Sequence, residues 1–191
     1  MPPDVSVVVV ARNRATLTLR CLTSLARLPD EPSFEVVLVD DGSQDETSAI
    51  LDAIEGDLVT VRNDNPVGFA AACDQAVAAA GGEHLALLHD DAVPCDGWLT
   101  ALTGALVADP QLGAVAPRSI DLAGSFLPER HWLTLGVRRA AYEQVGGFAG
   151  TAQAGKAEKL TLLDALRDAG WGVAQESEAI LLLVPDALAA A

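Results

Sequence analysis

Two carboxylates stand directly after a run of apolar residues, where they are available for chemistry. Residues 36–39 (VVLV) are typical of a buried strand, and the sequence DDGSQD at 40–45 follows at once. In a parallel sheet, ligands bind in the crevice beyond the carboxyl ends of the strands. Acids placed there, Asp41 in particular, can accept a hydrogen bond from a nucleobase or bind a cation. The alternative is that Asp41 and Ser43 cap the next helix through their side-chain oxygens.

A second acid-bearing loop follows the apolar residues 85–88 and has the sequence HDDA at 89–92. If the strands before the two loops are both neighbours of one central strand, Asp41 and Asp91 can face a single cleft. Like charges brought within a few ångströms would require a bound cation or protonation of one carboxyl group. The alternative is that the two loops lie apart.

Apolar runs and helical stretches alternate along the chain, a pattern typical of strand-helix-strand units and of a mostly parallel sheet. We therefore predict an α/β protein, in which the scarce aromatic residues Trp98 and Trp171 fill the core. Residues 118–133 show no firm periodicity. The predicted strands are 5–11, 34–40, 58–62, 85–88, a short one around 115 and a terminal one at 179–184, and the predicted helices are 16–28, 46–55, 68–80 and 98–109.

Length and charge narrow the classes to which the protein can belong. The 191 residues fit one domain, and a formal net charge of −15 argues against unaided binding to nucleic acid. A phosphate-bearing ligand would need local help from a divalent ion, a helix amino terminus or a few arginines. The sequence has neither a basic leader nor the ~20 apolar residues of a membrane span. We therefore expect a cytoplasmic protein, and peripheral contact with a membrane stays open.

Several segments, in their order along the chain, resemble the family 2 glycosyltransferases, the GT-A group that transfers sugars from nucleoside diphosphates. The resemblance spans nearly the whole chain. It implies a GT-A-like, Rossmann-type α/β fold, with a mostly parallel sheet flanked by helices on both faces. It also implies one domain, with a nucleotide-binding half at 1–117 and an acceptor-side half at 118–191. The segments are SVVVVARNR at 6–14, VDDGSQDET at 39–47, GFAAA at 68–72, GEHLALL at 82–88, GVRR at 136–139 and VGGF at 145–148.

This resemblance implies a nucleoside pocket. Ala11, Arg12 and Asn13 match the loop that lines the pocket in the family, where Arg12 can stack on a base or contact a phosphate. Asp41 matches the acid that accepts a hydrogen bond from the ring nitrogen of uracil or thymine, which implies a sugar donor of the UDP or dTDP type. From its position alone, Arg12 can also be a solvated loop arginine.

The resemblance also implies a metal site beneath the diphosphate. Asp90 and Asp91 match the acidic pair of the family, and Asp91 has the position that usually ligates the metal. Hard oxygen donors suit Mn²⁺ or Mg²⁺, and such a cofactor would stabilise the departing nucleoside diphosphate. His89 departs from the family, which often has Asn or Asp there, and an imidazole is a poorer ligand for a hard ion.

The largest departure lies in the segment that begins near residue 158 and ends with the sequence RDAGW at 167–171. In the family, this helix usually starts with Glu-Asp, and the Asp is the general base, but here the second position is Lys159. A charged lysine cannot accept a proton from the acceptor hydroxyl, so Glu158 becomes the candidate catalytic base. The alternative is an amphipathic surface helix whose leucines face inward.

Two functions fit this pattern. The first is an inverting glycosyltransferase that moves a sugar from a nucleoside diphosphate to a glycan or small-molecule acceptor. The second is a catalytically impaired relative that binds nucleotide sugars or assists a partner glycosyltransferase. Lys159 favours the second, as does the absence of a metal-binding histidine from the strand that follows. We adopt the first because the nucleotide half of the pattern is better kept, and a homodimer stays open. An unrelated nucleotide-binding protein is disfavoured, since no Gly-x-Gly-x-x-Gly or Walker sequence follows the first strand.

Overall fold

The computed structural model describes residues 2–29, 32–54, 58–121, 134–151 and 158–183. No helix within these ranges is long and apolar enough to cross a bilayer. The described strands are β1 (Val5–Ala11), β2 (Phe34–Asp41), β3 (Leu58–Asn63), β4 (His84–His89), β5 (Ala92–Pro94), β6 (Leu112–Ile120), β7 (Leu135–Arg138) and β8 (Gly172–Leu183). The described helices are α1 (Ala15–Leu25), α2 (Thr47–Ala53), α3 (Phe69–Ala79), α4 (Trp98–Ala108), α5 (Arg139–Gln144), α6 (Gly147–Thr151) and α7 (Glu158–Asp168).

All eight described strands belong to one sheet, in the order β3-β2-β1-β4-β7-β6-β8-β5. β1 lies between β2 and β4 and pairs in parallel with both, and β3 is parallel to β2. β7 is antiparallel to β4 and β6, β8 is parallel to β6, and β5 is antiparallel to β8. The predicted α/β fold is confirmed, and the four adjacent parallel strands β3, β2, β1 and β4 are the strands that the sequence marks most clearly.

The central strands bury apolar side chains on both faces of the sheet. In β1, Val9 belongs to the core layer that includes residues of α1 and α4, whereas Val10 belongs to the layer that includes residues of α3 and α7. Successive side chains of a strand point to opposite faces, so a strand covered by helices on both sides needs an unbroken apolar sequence. This arrangement explains the run of valines at the start of the chain.

Two strands extend well beyond their predicted bounds, β5 and β7 lie where no strand was predicted, and one side chain differs from its prediction. β6 extends over Leu112–Ile120 instead of a short stretch around residue 115, and β8 begins at Gly172 instead of 179. These two strands pair with each other, so backbone hydrogen bonds support a length that the apolar pattern does not reveal. Trp98 is completely buried, as predicted. Trp171 is only partly buried, and its indole N–H donates to Gln144 at 3.0 Å.

Two consecutive arginines at the start of α5 bind the carboxyl ends of two other helices. Arg138 donates to the carbonyl oxygen of Leu106 in the last turn of α4. Arg139 donates to the carbonyl oxygen of Val77 in α3 at 3.1 Å and to that of Gly82 just beyond α3. The last carbonyls of a helix lack intrahelical partners and carry partial negative charge, which a guanidinium group satisfies. Both arginines therefore hold helices against the sheet.

Replacing Arg139 by Ala should lower the free energy of unfolding by about 2–4 kcal/mol, because charge-assisted hydrogen bonds to two carbonyl groups are lost. Urea unfolding followed by circular dichroism measures the change. Arg62→Ala is the matched control, since Arg62 forms an exposed ion pair with Asp52, and such pairs contribute at most about 1 kcal/mol. Equal losses in the two variants would contradict the structural role of Arg139.

Candidate functional site

Three loops meet at one edge of the sheet because β2, β1 and β4 are adjacent and parallel. Asn13, in the loop after β1, donates its backbone N–H to Ser43 Oγ at 3.1 Å, and its side-chain oxygen accepts from the Gln44 N–H at 2.7 Å. Asn13 has a φ of 54°, a left-handed conformation that asparagine tolerates better than most residues. The loops after β1 and β2 are therefore tied together.

Two acids of the loop after β2 stabilise the loops themselves. Asp40 accepts hydrogen bonds from the Ser43 N–H at 3.0 Å and from the Ser48 hydroxyl at 2.5 Å. Asp45 accepts from the Ala15 N–H, in the first turn of α1, at 3.1 Å. The alternative, capping of the next helix by Asp41 and Ser43, is not what the structure has, because Ser43 Oγ accepts from Asn13 and the Thr47 N–H at the start of α2 donates to Asp45 at 3.0 Å.

Asp41 binds the loop that leads into α3. The side chain is 2% exposed and accepts hydrogen bonds from the N–H groups of Val67 at 2.7 Å and Gly68 at 2.9 Å, and from the Asn63 amide at 3.0 Å. Burial alone would raise the pKa of Asp41, but these hydrogen bonds and the charge of Arg12 lower it below its usual value. Asp41 is thus an anion at neutral pH.

A compact cluster of charged side chains follows β4. The Arg14 guanidinium lies 3.0 Å from Asp90 Oδ1 and 3.5 Å from Asp91 Oδ2. His89 Nδ1 lies 3.1 Å from Asp90 Oδ1 and 2.8 Å from Asp91 Oδ1. Burial alone lowers the pKa of His89, but hydrogen bonds and negative charge from Asp90 and Asp91 raise it to about 9. Two cations therefore neutralise two acids in the free protein at neutral pH.

The same cluster offers donor atoms to a metal ion. One atom from each of His89, Asp90 and Asp91 lies within 4.8 Å of the others. Carboxylate oxygens suit Mn²⁺ and Mg²⁺, and an imidazole nitrogen can add to them only in its neutral form. This donor set fits a divalent cation, provided that the guanidinium of Arg14 moves aside.

An aromatic series connects this cluster to α5 and α6. The ring of Phe69, at the start of α3, stacks on His89 with centroids 6.2 Å apart. Phe148 in α6 meets Phe69 edge to face at 6.1 Å, and Tyr142 in α5 meets Phe148 at 5.8 Å. The Tyr142 hydroxyl donates to Asp74 at 2.6 Å, which anchors the series to α3.

The predicted nucleotide-site and metal-site residues lie at one edge of the sheet, as the sequence analysis expected. Six of them, Ala11, Arg12, Asn13, Asp41, Asp90 and Asp91, are at the carboxyl ends of β1, β2 and β4 or in the loops that follow. Asp41 binds Gly68, next to Phe69, whose ring stacks on His89, so both acidic loops border the same end of α3. Their contacts with a ligand remain predictions.

The predicted base lies at the start of another helix. Glu158 is the first residue of α7, but its side chain and that of Lys159 lie outside the described part. Further along α7, Leu163 and Leu166 are buried, as an amphipathic helix requires. Arg14 and Phe69 were missed as site residues, because no sequence spacing reveals contacts with residues so distant along the chain.

Solved glycosyltransferases share this fold, which defines the chain as a GT-A protein. A mannosyltransferase from Pyrobaculum calidifontis, solved in complex with GDP-Man and Mn²⁺, superposes with a TM-score of 0.76 at 22% identity, over 97% of this chain and 58% of that one. GalNAc-T7, solved with UDP, GalNAc and Mn²⁺, gives a TM-score of 0.79 at 15% identity, over 96% of this chain and 44% of that one.

The chain belongs to glycosyltransferase family 2, because the family model "Glycosyl transferase family 2" matches residues 6–160. The pre-mycofactocin glycosyltransferase of Mycobacterium tuberculosis is 35% identical over 122 residues, which make up 62% of this chain and 24% of that protein. The resemblance seen in the sequence is thereby confirmed. This chain spans about a quarter of the length of that relative.

Proposed function

We propose that this domain transfers a sugar from a nucleoside diphosphate, of the UDP or dTDP type, to a glycan or small-molecule acceptor with inversion at the anomeric carbon. The observation that carries the proposal is the meeting of the loops after β1, β2 and β4, which places the acids Asp90 and Asp91 beside two tied loops in a family 2 chain. A diphosphate needs this kind of site, since a protein of charge −15 otherwise repels it.

The nucleoside is proposed to bind the loops after β1 and β2. Asp41 Oδ2 accepts one hydrogen bond, from Gly68, and a carboxylate oxygen has a second lone pair that can accept the ring N–H of uracil or thymine. Arg12 is exposed beside this carboxylate and is suited to stack on the base or contact a phosphate. The backbone of Ala11 and Asn13 is proposed to line the nucleoside site.

The diphosphate is proposed to lie over Asp90 and Asp91, which would hold Mn²⁺ or Mg²⁺. When bound, this cation supplies positive charge to the departing nucleoside diphosphate. The solved complexes of the mannosyltransferase and GalNAc-T7 contain Mn²⁺ with GDP-Man or UDP, which supports a divalent cation in proteins of this fold.

Glu158 is the proposed general base. Its carboxylate accepts the proton of the acceptor hydroxyl, whose oxygen attacks the anomeric carbon of the sugar. The bond from that carbon to the diphosphate oxygen breaks on the opposite side, so the configuration inverts. The aromatic series from His89 to Tyr142 links the two halves of the chain and supports an acceptor site on the side of 118–191.

A thermal-shift panel tests this proposal. Uridine, thymidine and guanosine diphosphate sugars are each added to the protein with and without Mn²⁺. One donor, of the uridine or thymidine type, should raise the melting temperature, and should do so more strongly with Mn²⁺, because a ligand that binds only the folded state stabilises it. The absence of a shift with every donor would contradict the proposed function, and a shift with guanosine donors alone would contradict the role given to Asp41.

A further inference from the structure

Arg14 contacts each of the three residues that offer donor atoms to a metal ion. Its guanidinium contacts Asp90 Oδ1 at 3.0 Å and Asp91 Oδ2 at 3.5 Å, and it lies 3.5 Å from His89 Nδ1. These three residues are the members of the donor set described above. Two positive groups held this close together repel each other, so Arg14 at these carboxylates opposes the binding of a divalent cation.

The burial of Asp90 makes the loss of a positive partner unfavourable. The Asp90 side chain is 2% exposed, and its Oδ1 accepts from Arg14. A carboxylate buried to this degree is strongly destabilised when it loses a positive partner without gaining another. Asp90 has two positive partners, Arg14 and, at 3.1 Å, His89, so a metal ion that binds the free protein must compete with the guanidinium of Arg14 for this carboxylate.

Arg14 also has somewhere to move. It stands immediately before α1, and its side chain is 27% exposed, whereas Asp90 is fixed at the end of β4. The loop that carries Arg14 also carries Arg12 and Asn13 and is tied to the loop after β2. A guanidinium that leaves the acids can bind a diphosphate, because its planar fork matches phosphate oxygens.

We propose that Arg14 competes with the divalent cation for Asp90 and Asp91. When a donor diphosphate binds, Arg14 moves from the two acids to the diphosphate, so nucleotide and metal bind cooperatively. This inference rests on the proposed function, because it needs a diphosphate in the cleft. Metal alone binds weakly, since it must displace Arg14 from the acids without a diphosphate to bind the guanidinium. Nucleotide that binds Arg14 frees the acids, and by linkage the metal strengthens nucleotide binding by the same factor.

The first test measures Mn²⁺ binding without any nucleotide, by electron paramagnetic resonance of free Mn²⁺. Arg14→Gln should bind Mn²⁺ more tightly than the natural protein by roughly 5- to 150-fold, the usual range of coupling between two sites. Arg20→Gln is the matched control: it removes the same charge from an exposed position of α1 and should leave the affinity within about twofold. Unchanged or weaker Mn²⁺ binding by Arg14→Gln would overturn the proposal.

A conservative variant separates charge from geometry. Arg14→Lys keeps a positive charge near the acids, so its Mn²⁺ affinity should stay close to that of the natural protein. Tight Mn²⁺ binding by Arg14→Lys, equal to that of Arg14→Gln, would contradict competition by charge. Circular dichroism melts confirm that each variant is folded, and Arg14→Lys decides the question should Arg14→Gln fail to fold.

The second test adds UDP and corrects for the Mn²⁺ that free UDP holds. UDP should tighten Mn²⁺ binding to the natural protein, and the factor should fall severalfold in Arg14→Gln, because that variant has no guanidinium for the diphosphate to draw away from the acids. An equal factor in both proteins would overturn the cooperative role of Arg14. Failure of UDP to bind any of the proteins would overturn that role and count against the proposed function, whereas the measurement without nucleotide would still decide whether Arg14 competes with the metal.

Discussion

Replacing Asp91 by Asn should abolish the contribution of Mn²⁺ to nucleotide binding. Asn keeps the size of the side chain but loses the negative charge and one of the two carboxylate oxygens of the proposed donor set. A metal bridge to a diphosphate contributes several kcal/mol, so affinity measured with Mn²⁺ should fall about 100-fold or more, to the value found without metal. Isothermal titration with the donor that gives the largest thermal shift measures the effect.

Asp96→Asn is the control for this change. Asp96 is exposed in the same segment, five positions beyond Asp91. Its replacement by Asn removes the same charge from a residue that does not belong to the donor set. Its nucleotide affinity should stay within about twofold of that of the natural protein. Asp91→Asn that retains the full response to Mn²⁺ would show that the cation binds elsewhere.

Replacing Glu158 by Gln should reduce the release of nucleoside diphosphate in the presence of acceptor by about 10²- to 10⁴-fold, the usual contribution of a general base. Gln has the same shape but cannot accept the proton. Donor affinity should be unchanged, because Glu158 is proposed to act on the acceptor. Initial rates of nucleoside diphosphate release, measured at saturating donor, report the loss.

Lys159→Gln separates the two residues at the start of α7. A lysine that is charged at neutral pH does not serve as the base, so this variant should keep its rate within about tenfold of the natural protein. The reverse pattern, with activity lost in Lys159→Gln and kept in Glu158→Gln, would show that the base has been assigned to the wrong residue.

The sequence predicted the parallel half of the sheet better than the remainder. The bounds of β1 agree with its prediction, and β2 and β3 are each one residue longer. These strands are short apolar runs bounded by polar loops, so local sequence defines them. β8 carries the polar sequence QESE at 175–178, and it lies in the sheet paired with β6 and β5. Such non-local pairing leaves no periodic signal.

The site could be predicted in part for a similar reason. Acids after an apolar strand are visible in the sequence, and the strand order then places Asp41 and Asp91 on either side of β1. The sequence does not reveal that Asp40 binds its own loop, that Asp45 binds the start of α1, or that Arg14 binds an acid 76 residues away. Those contacts depend on side-chain direction in the folded protein, which residue types and spacing do not specify.

A crystal structure of the protein with Mn²⁺ and the donor selected by the thermal-shift panel tests the central claim most directly. The account predicts an anomalous manganese peak about 2.1 Å from an Asp91 oxygen, with the diphosphate beside it. It also predicts the nucleobase next to Asp41, and Arg14 turned from Asp90 toward the phosphates. Manganese and nucleotide bound away from the carboxyl ends of β2 and β4, with Arg14 still paired to Asp90, would contradict it.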